Sequence, residues 1–270
     1  MKLSISNIAW SVEHDKDMYG FLRDNDFAGL EIAPTRLFSN EPYKNPDDAH
    51  SFSNWLIEVY NLSISSIQSI WYGITESVFG SEAERKKLVE YTKKAIDFAF
   101  ALKCPNLVFG CPKNRAIPAS MDYDDCIHIA NDFFYEIADY AAMHGTYIAL
   151  EPNPPIYHTN FINTTAQAFE FCRNLNNPGV RVNIDVGTLI YNNENINQIK
   201  ENIDIVNHVH ISEPYLAPIT ENMLHRELLT ALHYLKYDKY ISIEMGNPND
   251  IELVKRIIVY VKELFCDIDI

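Results

Sequence analysis

A β-strand is predicted at Val180-Arg181-Val182-Asn183-Ile184-Asp185, where apolar and polar side chains alternate. A strand of a doubly wound sheet is covered on both faces and is therefore more continuously apolar. The interior of a barrel, by contrast, accepts polar groups near its catalytic end. The alternation therefore favours a strand of a closed (β/α)8 barrel over a strand of an open sheet.

Seven further strands and eight helices are predicted around this strand, in strict alternation. The strands are expected at Leu3–Trp10, Ala28–Pro34, Leu62–Trp71, Asn106–Gly110, Thr146–Glu151, Val206–Ile211 and Tyr240–Gly246. The helices are expected near residues 15–25, 46–60, 81–103, 123–144, 164–176, 194–203, 221–236 and 249–265. Such alternation is typical of parallel βαβ units, and eight of these units close into a barrel. Because no linker interrupts the pattern, we predict one α/β domain over residues 1–270, a single (β/α)8 TIM barrel.

The composition limits the partners and the location of the protein. The chain has 22 Lys and Arg residues against 37 Asp and Glu residues, a formal net charge of −15. This charge disfavours nucleic acid and anionic membranes as partners, because both are bound through basic residues. The five cysteines form no Cys-x-x-Cys pair, and the first residues turn polar too early for a signal peptide. We therefore expect a cytoplasmic protein with reduced thiols. The sequence leaves open whether the protein forms a homo-oligomer.

Four ionisable residues end four consecutive predicted strands, namely Glu151, Asp185, His210 and Glu244. They are separated by 34, 25 and 34 residues, each about one βα unit, so the same mouth of a barrel should present all four. A single acid at such a position could cap the next helix or pair with a cation. Four in succession favour a divalent metal site, because three close carboxylates repel one another without a cation. Carboxylates with one imidazole suit Mn²⁺, Mg²⁺, Co²⁺ or Zn²⁺.

Two cations, Lys113 and Arg115, lie in the loop after the fourth predicted strand, which faces the same mouth. Either they hold a phosphate or carboxylate of the substrate, or they are solvated loop cations paired with nearby acids. The residues alone leave both interpretations open.

Other polar residues near strand ends are candidates for substrate binding. Asn153 is expected to bond substrate hydroxyls, and Gln68 and Glu31 are expected to line the pocket. Glu213 is expected to contact substrate or to orient His210 or Arg115. His208 shares a strand face with His210 but lies one layer deeper, where a hydrogen-bonded core histidine is the expected role.

Several motifs resemble the xylose-isomerase-like TIM-barrel superfamily, and more narrowly its sugar phosphate isomerase/epimerase members, which include the ketose 3-epimerases. They are Glu151-Pro152-Asn153-Pro154, Asp185-Val186-Gly187-Thr188, His208-Val209-His210-Ile211-Ser212-Glu213-Pro214 and Ser242-Ile243-Glu244-Met245. The resemblance covers nearly the whole chain. It implies that Glu151, Asp185, His210 and Glu244 hold one divalent metal ion, with Mn²⁺ the expected ion.

The resemblance also implies an activity, the isomerisation or epimerisation of a sugar or sugar phosphate. The reaction would be a proton transfer through a metal-bound enediolate, with Glu151 and Glu244 as acid and base in turn. Thr188 stands where many epimerases of the family have a histidine. The resemblance therefore does not choose between epimerase, isomerase and dehydratase.

Three alternatives remain at this level. The first is a lyase that removes water from a keto-sugar or keto-inositol by the same proton abstraction. The second is a hydrolase resembling endonuclease IV, which the negative charge and the lack of histidines at the first strand ends oppose. The third is a sugar-binding barrel without catalysis, which would not need both Glu151 and Glu244.

Overall fold

The computed structural model describes residues 1–38 and 41–268, and its eight parallel strands close into a barrel in chain order. The strands are β1 Lys2–Ser6, β2 Gly29–Ile32, β3 Ser63–Ile67, β4 Asn106–Phe109, β5 Tyr147–Leu150, β6 Val180–Asp185, β7 Val206–Ser212 and β8 Tyr240–Glu244. Because β1 pairs with both β2 and β8, the sheet closes on itself. The predicted (β/α)8 TIM barrel is confirmed.

Helices surround the barrel. They are α1 Asp15–Asp24, α2 Pro34–Leu37, α3 Pro46–Tyr60, α4 Glu82–Ala101, α5 Tyr123–Met143, α6 Thr165–Leu175, α7 Val186–Asn192, α8 Asn197–Glu201, α9 Met223–Tyr234 and α10 Ile251–Cys266. In α10 the buried residues Val254, Ile257, Ile258 and Val261 recur with the helical period, so one face of the helix packs into the hydrophobic core. Among the helices of the described ranges, none is long and apolar enough to cross a membrane.

Two short helices that the sequence pattern did not predict begin directly where strands end. Helix α2 has Pro34 in its first turn, where the missing N–H of proline costs nothing. Helix α7 has Asp185 as its N-cap, and the carboxylate accepts a hydrogen bond from the N–H of Thr188. The first strand is shorter than predicted, because Asn7–Ala9 forms a 3-10 turn. These features bring polar side chains to the carboxyl ends of the strands.

The interior of the barrel is polar rather than purely aliphatic. The Ser4 and Ser65 hydroxyls lie 2.6 Å apart, and Asn106 Nδ2 donates to Ser66 Oγ at 2.9 Å. All four residues are buried, on strands β1, β3 and β4. The apolar core lies mainly between strands and helices, and the barrel axis holds hydrogen-bonded polar groups. The candidate site continues this polar interior toward the carboxyl ends of β5 to β8.

Candidate functional site

Glu151, Asp185, His210 and Glu244 come together at the carboxyl ends of β5, β6, β7 and β8. One potential ligand atom from each side chain lies within 4.8 Å of those of the others. His210 Nδ1 lies 3.0 Å from Glu151 Oε1 and 3.1 Å from Glu244 Oε2. All four residues are buried. Three carboxylates and one imidazole at this spacing can hold a divalent cation.

Asp185 is fixed by hydrogen bonds to both of its carboxylate oxygens. The N–H and the hydroxyl of Thr188 donate to Oδ2 at 2.8 and 2.7 Å, and the hydroxyl of Ser212 donates to Oδ1. Thr188 is fully buried. Thr188 therefore anchors Asp185 and does not line the pocket.

Glu151 is held from both sides by amide groups. Asn153 Nδ2 donates to Oε2 at 2.9 Å, and Asn183 Nδ2 donates to Oε1 at 2.7 Å. On the remaining side lies Gly110, where an added Cβ would be only 2.7 Å from Oε2. The glycine therefore allows the carboxylate to lie directly against the backbone after β4.

Arg115 is fully buried behind the pocket, which differs from both sequence-based interpretations, a contact with a substrate anion and a solvated loop cation. Its Nη2 donates to the carbonyl of Glu151 and to Asn153 Oδ1, both at 2.7 Å, and its Nη1 donates to the carbonyl of Phe161 at 3.0 Å. Because Oδ1 of Asn153 faces Arg115, its NH₂ group faces the Glu151 carboxylate. Arg115 therefore orients Asn153 and, through it, Glu151.

The other expected substrate contacts divide between the pocket and its surroundings. Gln68 lines the pocket, and its Nε2 donates to Ser6 Oγ at 2.9 Å. Lys113 is exposed, and Glu213 accepts a hydrogen bond of 2.9 Å from the Thr220 hydroxyl. Neither Lys113 nor Glu213 is among the described residues that line the pocket.

The pocket above the four residues has a volume of about 170 Å³. It is lined by Gln68, Ser69, Val108, Gly110, Cys111, Pro112, Glu151, Asn153, Tyr157, Asp185, Leu216 and Glu244. The Tyr157 hydroxyl accepts a hydrogen bond from the N–H of Tyr215 at 2.8 Å, which fixes this wall. A larger surface groove of about 1200 Å³ beside α8, α9 and α10 contains none of the four converging residues.

Burial and mutual charge shift the pKa values of the four residues in different directions. Burial raises the pKa of Glu244 to about 7, and burial together with the Glu151 charge raises the pKa of Asp185. Burial would also raise the pKa of Glu151, but hydrogen bonding to His210 and the charge of that residue hold it below its usual value. Burial would lower the pKa of His210, but the charges of Glu244 and Glu31 raise it well above its usual value. Such strongly interacting buried groups are typical of a site built for a cation or for proton transfer.

Sequence reasoning missed Asn183 and Ser212, which support the four central residues. Asn183 lies two residues before Asp185 on β6, and Ser212 lies two residues after His210 on β7. Side chains two residues apart in a strand share a face, so this period was a usable signal. It was missed because uncharged residues do not stand out among strand residues.

Comparison with known proteins gives one family match and many similar structures. The family described as xylose isomerase-like TIM barrel matches residues 20–263. Comparison with curated protein sequences gives no match.

Three solved structures illustrate the likeness. A 3-keto-D-glucoside 4-epimerase from E. coli, in its apo form, has a TM-score of 0.79 at 18% identity over 97% of this chain and 99% of its own. A D-psicose 3-epimerase from Clostridium cellulolyticum H10, solved with D-tagatose, has a TM-score of 0.77 at 15% identity over 99% of each chain. The IOLI protein with a bound zinc atom has a TM-score of 0.74 at 17% identity over 99% of this chain and 98% of its own. At these identities the likeness shows the fold.

Proposed function

The chain belongs to the xylose isomerase-like TIM barrel family, and we propose that it is a metal-dependent sugar isomerase or epimerase. The convergence of Glu151, Asp185, His210 and Glu244 in a buried pocket is the observation that carries the proposal. The similar structures support it, because two of them are sugar epimerases and a third holds zinc. We also propose that residues 1–270 form a single domain.

The donor set fits one divalent ion, which Glu151, Asp185, His210 and Glu244 would hold. The side chains offer three carboxylates and an imidazole, a set that suits Mn²⁺, Mg²⁺, Co²⁺ or Zn²⁺, and we propose Mn²⁺. When bound, such an ion polarises a carbonyl group and makes the neighbouring C–H more acidic. The hydrogen bonds to Asp185 and Glu151 orient these carboxylates before any ion arrives.

Glu151 and Glu244 are the proposed proton-transfer groups. Both line the pocket, and they come from strands β5 and β8, so they approach a sugar from different sides. One carboxylate would remove the proton beside the carbonyl, and the other would return a proton. Return to the opposite face of the same carbon gives the epimer, whereas return to the neighbouring carbon converts ketose to aldose. Asn153 and Gln68 are the proposed partners of substrate hydroxyl groups.

The pocket favours an uncharged monosaccharide over a sugar phosphate. The described residues that line it include three carboxylates and no lysine or arginine. Arg115 is buried and bonded to protein oxygens, and Lys113 lies outside the lining. Apart from the proposed metal ion, a phosphate would therefore meet carboxylates and no basic side chain in this lining. A volume of about 170 Å³ also suits a small ligand.

A substrate panel tests this proposal. The protein, stripped of metal and reloaded with Mn²⁺, is incubated with free ketopentoses and ketohexoses and with their terminal phosphates. We expect conversion of a free ketose with a kcat/KM at least about tenfold above that of its phosphate, because like charges placed together are strongly unfavourable. Chelation of the metal should abolish conversion. A phosphorylated substrate turned over more efficiently than its free counterpart would contradict the assignment of a neutral substrate.

A further inference from the structure

Glu31 is a buried carboxylate to which the proposed reaction assigns no role. It lies on β2, between Leu30 and Ile32, and its side chain is fully buried. It does not line the pocket, which differs from its expected position. A buried carboxylate is costly unless it is paired, so its partners indicate why it is there.

The partners of Glu31 are two histidines on β7, far away in sequence. Glu31 Oε2 lies 2.9 Å from His210 Nε2 and 3.1 Å from His208 Nε2. The second oxygen, Oε1, has no hydrogen-bond partner among the described residues. The contact with His210 is a hydrogen bond, whereas His208 Nε2 makes no hydrogen bond with the described residues. Glu31 is therefore placed to accept a hydrogen bond from the ring of His210 beneath the site.

His210 is held at both ring nitrogens by carboxylates of different elements. Its Nε2 faces Glu31, and its Nδ1 faces Glu151 and Glu244. A neutral imidazole carries one N–H and one lone pair, and an ionised carboxylate can only accept. With the Nε2 proton directed to Glu31, a cation bound among the other carboxylates would take the place of a proton on Nδ1 and would meet the lone pair of that atom.

We propose that Glu31 is a positioning residue that fixes the ring and the tautomer of His210, so that Nδ1 is the atom available to a divalent cation. The inference rests on the proposed function, because it assigns the donor atom of one proposed ligand. Carboxylates that accept the second N–H of a metal-binding histidine orient the ring and increase its basicity. Glu31 acts through His210 and does not touch substrate.

The alternative is a second ion held by Glu31, His208 and His210, whose potential ligand atoms also lie within 4.8 Å of one another. All three residues have side-chain exposures of at most 1%. The contact between His210 Nε2 and Glu31 is a hydrogen bond of normal length, so no ion is needed to join them. Metal stoichiometry separates the two arrangements.

The experiment measures metal binding by the whole chain rather than activity. Zn²⁺ is titrated calorimetrically into metal-free wild type, Glu31→Gln, which keeps an acceptor but removes the charge, and Glu31→Leu, which removes both. Ser65→Ala is the matched control, because Ser65 is a buried barrel residue bonded to Ser4. We expect one ion per chain, an affinity about 10-fold weaker for Glu31→Gln and about 100-fold weaker for Glu31→Leu, and an unchanged control.

Long-range ¹H–¹⁵N NMR spectra of the histidine rings in the zinc-loaded protein determine which ring nitrogen of His210 carries the proton. In wild type, we expect His210 to carry its proton on Nε2 and the metal on Nδ1. Equal zinc affinity in wild type and both Glu31 variants, or zinc on Nε2, overturns the inference and leaves the proposed function standing. Two ions in wild type and one in Glu31→Leu would make Glu31 a ligand and also overturn it. A wild type that binds no divalent ion rejects both proposals together.

Discussion

Glu244→Gln is expected to reduce turnover at least about a hundredfold, even at saturating metal, because a positioned proton-transfer group is worth roughly 10²–10⁴-fold. Glutamine keeps the size of the side chain and one oxygen that can approach a cation, but it cannot exchange a proton with a sugar carbon. Glu151, Asp185 and His210 remain in place, so weakened metal binding should still be measurable. Initial rates are compared at a metal concentration that saturates the variant, as determined by titration.

Glu213→Gln is the matched control for this variant. It makes the same chemical change near the end of β7, but Glu213 bonds Thr220 and does not line the pocket. We expect turnover within about threefold of wild type, because the half-buried Glu213 lies away from the reacting atoms. Because Glu151 still faces the substrate in Glu244→Gln, we expect part of the hydrogen exchange on the Glu151 side to persist while net conversion stops. Near-normal turnover of the saturated Glu244→Gln variant would refute the mechanism with two carboxylates.

Arg115→Met is expected to destabilise the fold by about 2–4 kcal/mol, since each buried polar group left without its partner costs about 1–3 kcal/mol. The substitution leaves the carbonyls of Glu151 and Phe161 and the amide oxygen of Asn153 without their donor. Removing a buried charge offsets part of this loss. The free energy of unfolding is measured by urea denaturation, and a fall in turnover should accompany it because Asn153 no longer holds Glu151.

Lys113→Met serves as the control for charge removal in the same turn. Lys113 is exposed, so we expect its substitution to change the free energy of unfolding by less than about 0.5 kcal/mol. An Arg115→Met variant with wild-type stability, together with a raised KM confined to phosphorylated sugars, would restore the alternative in which Arg115 binds a substrate anion.

The fold could be predicted from the sequence because its signals are local. Strands and helices alternate along the chain, and the intervals between Glu151, Asp185, His210 and Glu244 match one βα unit each. In a barrel, equivalent positions in successive βα units lie at the same end of the barrel. The spacing alone therefore predicted that the four residues converge. The structure places them together, as this argument requires.

The parts that sequence reasoning did not predict depend on contacts between distant residues. A loop arginine is usually solvated, and only the folded chain brings the carbonyl of Phe161, 46 residues away, to Arg115. Glu31 and His210 are 179 residues apart, on strands that are not neighbours in the barrel. The two side chains meet across the barrel interior, and neither the hydrophobic periodicity of the sequence nor the spacing of residues along it predicts such a contact.

Deuterium incorporation from D₂O tests the proposed proton transfer most directly. The metal-loaded protein is incubated with a free ketose that it binds, and the recovered sugar is analysed by NMR. The account predicts deuterium at a carbon beside the carbonyl, in the product and in part of the recovered substrate, and none after the metal is chelated. Conversion of the sugar with every carbon-bound hydrogen retained, or binding of the sugar by the metal-loaded protein without any exchange, would contradict it.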